Sequence, residues 1–71
     1  MAVVREIAAF DIVELTEAVD DAPVGARGGV LELRPGGKAM VEITEPVLGA
    51  AARIVFAPLG KLRVVEPARR G

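Results

Sequence analysis

The chain has no cysteine, histidine, tryptophan, tyrosine, serine, asparagine or glutamine. Each absence excludes something. Without cysteine there is no disulfide staple, and without cysteine or histidine no ordinary structural zinc site. Nucleophilic catalysis needs a serine, cysteine, threonine or lysine beside a base. Only Thr16, Thr44, Lys38 and Lys61 remain as candidates, with no histidine to activate them. Phe10 and Phe56 are the whole aromatic complement. No run approaches the roughly 20 apolar residues of a membrane-spanning helix. No charged leader followed by an apolar stretch opens the chain, so the expectation is a cytoplasmic protein without a membrane partner.

What is present is mostly apolar. Of 71 residues, 52% are hydrophobic and 27% charged, which is too apolar and too weakly charged for a disordered chain. The length allows one domain, residues 1–71, with a core over about 9–66 and peripheral segments 1–8 and 67–71. A domain of this size buries only about 60% of the surface its unfolded chain exposes. Small size, no covalent staple and a surplus of apolar residues together predict a homo-oligomer, most simply a dimer. The net charge is -1, but it is unevenly spread. Arg5 and Arg27 face seven carboxylates in residues 1–32, whereas seven basic residues face Glu42, Glu45 and Glu66 in 33–71.

The clearest local signal is Lys38-Ala39-Met40-Val41-Glu42-Ile43-Thr44. Its alternation puts Ala39, Val41 and Ile43 on one face of a half-buried strand and Met40, Glu42 and Thr44 on the other. Gly29-Val30-Leu31-Glu32-Leu33 reads as a second strand, and Arg34-Pro35-Gly36-Gly37 between them as a tight turn. A third strand is expected over 52–56, with Ile54 and Phe56 on one face and Val55 turned outward. Ala57-Pro58-Leu59-Gly60-Lys61 is long enough only for a single 3₁₀ turn. Leu62–Val65 forms a last strand, stopped by Pro67. The N-terminal third is ambiguous. Val4, Ile7, Ala8, Ile12, Leu15 and Val19 fit a helical stripe, yet Asp11 interrupts it and Phe10–Leu15 is rich in strand-forming types. The fold class is therefore all-β, a small five-stranded barrel, with an N-terminal helix packed on an antiparallel sheet (α+β) as the alternative.

The residues Asp11-Ile12-Val13-Glu14-Leu15, Pro23 through Val30, Val41-Glu42-Ile43 and Pro58 through Leu62 resemble a family of short bacterial proteins with an SH3-like barrel, known only as a domain of unknown function. The likeness covers about residues 9–66. Its Gly-x-x-Gly step falls on Gly25 and Gly28, where torsions closed to residues with a Cβ would let the chain swing from loop to strand, and it seats Val30 in the barrel. Gly29 departs from the β-branched or polar residue usual there, and loop 45–51 is more apolar than in the family. The resemblance implies a fold and no single activity.

Other chemistry finds little to stand on. Asp20 and Asp21 are adjacent and diverge on an extended chain, while Glu14 and Glu17 meet only on a helix. Glu17, Asp20 and Asp21 lack the glycine-punctuated spacing of a calcium loop. Gly25–Gly29 leads into a strand, so no helix N-terminus follows to hold an anion. No catalytic residue, cofactor or metal site is expected, and the chain reads as non-enzymatic. The leading expectation is a self-associating protein-interaction module, its interface drawn from Val3, Val4, Ile7, Met40, Val47, Leu48 and Val55. The alternatives are a nucleic-acid-associated barrel, with anion or nucleic-acid contacts at Lys61, Arg63, Arg69 and Arg70, and an accessory subunit of a larger complex. Both phenylalanines are placed in the core, which counts against base stacking.

Overall fold

Short segments of alternating apolar residues, separated by glycine and proline, fold here as five antiparallel strands. A computed structural model describes residues 7–49 and 53–68. The strands are β1 (Ile12–Leu15), β2 (Arg27–Arg34), β3 (Lys38–Glu45), β4 (Ile54–Pro58) and β5 (Leu62–Glu66), with a 3₁₀ turn at Leu59–Lys61. They form one sheet in the order β4-β3-β2-β1-β5. The fold is all-β, and residues 7–15 hold no helix, which removes the α+β alternative over that stretch.

Strand order and connection length together require the sheet to curl. β4 and β5 are its two outermost strands, yet only Leu59–Lys61 joins them. Laid flat, the outer strands of five would stand about 19 Å apart. A three-residue 3₁₀ turn spans about 6 Å. The sheet therefore bends into a small barrel, and its interior takes small side chains. Ala22, Ala26, Ala39 and Ala57 lie in the core with Val13, Leu15, Val30, Val41, Ile43, Val55 and Leu62.

The narrow interior also explains where the expectations fail. Val55 is not on the surface: it is 2% exposed and pairs with Val41, while Ala57 pairs with Ala39. Alternation fixes which residues of β4 share a face but not which face turns inward. The cramped interior accepts Val55 and Ala57, so the bulkier Ile54 and Phe56 turn out, 44% and 47% exposed. Phe10 is also outside the core, 73% exposed. In β2 a bulge makes Leu31 an extra residue, since Val30 pairs with Val41 and Glu32 with Met40. Val30 is buried as expected, and Leu31 and Leu33 are exposed.

The glycine step is real but works differently at its two ends. Gly25 has φ +88, a left-handed conformation that favours glycine. Gly28 has no positive φ. A Cβ there would lie 2.1 Å from the Glu42 carbonyl oxygen, so Gly28 is required by the close approach of β2 to β3.

Asp11 ties the two ends of the described chain together. Its carboxylate is buried and accepts the Ala8 N–H (2.9 Å) and the Ala68 N–H (2.6 Å). The residue that broke the helical stripe is thus a buried polar anchor, satisfied by backbone donors. The Phe10 N–H and Val30 carbonyl (2.7 Å) and the Val30 N–H and Asp11 carbonyl (2.9 Å) fasten this corner to β2.

Candidate functional site

Across the outside of the sheet the strands set up two rows of different character. The first is charged. Glu14 on β1 lies opposite Arg27 on β2 and Arg63 on β5, and Arg27 lies opposite Glu45 on β3. Signs alternate along four strands. Arg63 donates a hydrogen bond to Glu14 Oε1, and Arg27 Nε stands 3.4 Å from Glu14 Oε2. The bond from Arg63 is the main reason the Glu14 carboxyl sits below the ordinary 4.5; partial burial opposes it, and the charges of both arginines with the Arg27 bond reinforce it.

The second row is mainly apolar. Met40 on β3 lies opposite Phe56 on β4 and, on its other side, opposite Glu32 on β2, next to which the bulged Leu31 is exposed. Ile54, two residues from Phe56, extends the patch on the same face. Gly29 leaves a gap beside it into which Ile12 reaches, since a Cβ on Gly29 would meet Ile12 Cδ1 at 3.8 Å. Glu42 lies between Gly29 and Ile54 and is 3.8 Å from Arg53.

The residues expected at an interface divide accordingly. Met40 is half-buried within the apolar row. Val47 is 89% exposed, whereas Leu48 and Ile7 are partly buried against the core. Val47 and Leu48 line a shallow concavity of about 220 Å³ with Glu42, Ile43, Thr44 and Arg53. Val55 is removed from the set by its burial, and Val3 and Val4 lie outside the described residues. The structure adds Ile54, Phe56 and Leu31 to the exposed apolar residues. Alternation alone does not give them, because it leaves open whether Val55 or Phe56 stands beside Val41 in the interior.

The basic end does not form a free cationic patch among the described residues. Lys61 lies 3.9 Å from Glu17, and Arg63 is bound to Glu14. Arg69 and Arg70 are outside the described residues. Among the described residues no group of three or more carboxylates gathers to hold a metal ion, and no helix is long and apolar enough to cross a membrane. Thr44 Oγ1 donates to the Arg27 carbonyl (3.4 Å), which makes it a tie between β3 and β2. Against known proteins, the chain matches no family model, no curated protein and no solved structure.

Proposed function

We propose that this chain is a small non-enzymatic interaction module that self-associates, as a dimer in the simplest case. The observation that carries the reading is Met40 paired with Phe56, extended by Ile54 and by the exposed Leu31 of the β2 bulge, on the outside of a sheet whose inner face is already filled. Large exposed apolar side chains that adjoin one another mark contact surfaces, whereas scattered ones need no explanation. The reading draws further support from what the polar residues do. Asp11, Glu14, Arg27 and Arg63 are engaged with one another or with backbone, and the charged residues of the concavity beside Leu48 are the ion pair Glu42–Arg53. The resemblance to short bacterial SH3-like proteins belongs to the same reading.

Size-exclusion chromatography with light scattering tests it. The expected mass is twice that of the 7.4 kDa chain at tens to hundreds of micromolar, falling on dilution. A mass equal to the single chain across that range would overturn the proposal.

A further inference from the structure

The hydrogen-bond pattern of β4 determines which of its backbone groups are left over. The Ile43 N–H donates to the Arg53 carbonyl (2.7 Å), and the Leu59 N–H donates to the Gly37 carbonyl (2.9 Å). Between these points the register is Glu42 with Ile54, Val41 with Val55, Met40 with Phe56, Ala39 with Ala57 and Lys38 with Pro58. In an antiparallel pair, residues bonded across to the neighbour alternate with residues whose groups point away. Arg53, Val55, Ala57 and Leu59 are therefore turned toward β3. Ile54, Phe56 and Pro58 turn their backbone groups to the other side, where no described strand pairs with them. Pro58 has no N–H to offer. Among the described residues, the two whose amides and carbonyls face no neighbouring strand, Ile54 and Phe56, are thus the same two that put large apolar side chains on the outer face of β4.

We infer that a second copy of this chain pairs antiparallel along the β4 edge, with the two Val55 residues facing each other across a two-fold axis. This rests on the self-association proposed above and gives it a surface and a register. In that arrangement Ile54 of each copy stands opposite Phe56 of the other. Each of these two pairs exchanges both hydrogen bonds, so every free N–H and carbonyl of Ile54 and Phe56 finds a partner. A β-branched side chain meets an aromatic one in both pairs, a favourable cross-strand combination. A shift of register toward Pro58 would set a residue without an N–H opposite Ile54 and leave a carbonyl unpaired. The self-complementary order of an isologous contact is thus present in the three residues Ile54-Val55-Phe56, and pairing removes an apolar edge that would otherwise template aggregation.

The native chain has no cysteine, so introduced thiols report the register without interference. Opposed residues of a bonded pair have Cα atoms about 5.5 Å apart, within disulfide range. A mixture of I54C and F56C chains under mild oxidation is expected to form the mixed 54–56 disulfide faster than either chain cross-links with itself. Charge gives an independent readout. I54K/F56K sets lysine against lysine twice and should be monomeric at concentrations where wild type is dimeric. I54K/F56E sets lysine against glutamate twice and should dimerise, less so in high salt. Both positions are about half exposed, and circular dichroism of each variant verifies the fold. A dimeric wild type with no preference for the mixed disulfide, or a dimeric I54K/F56K, would overturn the edge pairing and leave self-association standing. A monomeric wild type would overturn both.

Discussion

The charged row and the apolar row lie on the same outer surface, a few residues apart along β2 and β3, and they are solved in opposite ways. In the first, Glu45, Arg27, Glu14 and Arg63 alternate in sign, and Glu14 is held between two guanidinium groups of its own chain. In the second, Met40 stands beside Phe56 on the edge strand β4, where Ile54 and Phe56 turn their hydrogen-bonding groups toward no described strand. The half near β1 satisfies itself. The half near β4 is the one to which the proposed second copy would add. In a chain of 71 residues the core does not absorb every apolar side chain, and Ile54 and Phe56 of that surplus lie on the edge strand whose outer side meets no described strand.

Gly28→Val breaks both halves at once, because Gly28 lies between the two rows where β2 approaches β3. An added side chain would meet the Glu42 carbonyl at its first carbon. The expected loss is about 3 kcal/mol or more, read as unfolding or a large fall in urea midpoint; an unchanged midpoint would contradict the close approach. Asp11→Ala loosens the self-satisfied half. It strands the Ala8 and Ala68 amides and removes a buried carboxylate that holds both, at a cost of about 2–3 kcal/mol by chemical denaturation. Val55→Ala and Phe56→Ala sharpen the comparison within one strand. The first removes buried methyl groups and should cost about 2 kcal/mol of monomer stability, with the smaller effect on self-association. The second should lower monomer stability by about 0.5 kcal/mol or less while weakening self-association. The same effect from both substitutions would mean that the two faces of β4 are not distinct.

The smallest effect is electrostatic. Because Arg63 and Arg27 hold the Glu14 carboxyl below 4.5, its contribution to stability is complete above that pH and is lost as pH falls through the lower, folded-state value. Glu14→Gln should therefore lower stability slightly above pH 4.5, flatten the profile on the acid side and converge with wild type at the lowest pH. A titration of the Glu14 side chain by NMR verifies the direction. Exposed pairs of this kind weaken as salt is added.

Most of the architecture was legible because its signals are local. Ala39, Val41 and Ile43 alternate with Met40, Glu42 and Thr44, and Pro35-Gly36-Gly37 can make only a tight turn, so the β2–β3 hairpin follows from adjacent residues. The Leu59–Lys61 turn was equally local, bounded by Pro58 and Gly60. What was not legible depends on partners far along the chain. Nothing in Ile54-Val55-Phe56 says which parity faces inward, because the long loop from Glu45 leaves its register with β3 open. Bulk suggested that Phe56 belonged inside, and the tightness of the barrel reversed that. Asp11 carried the opposite lesson. It was visible as an interruption of the helical stripe, but its role required Ala68, 57 positions away.

That distance has a kinetic consequence. The hairpin needs only its own turn to form, whereas β1 must wait for β5, and the Asp11 carboxylate for an amide at the far end. Closing so long a loop costs entropy before any contact is gained, and folds dominated by such pairings form slowly. During synthesis the hairpin can assemble as soon as it is free, but the seam between β1 and β5 stays open until residues 62–68 have been made.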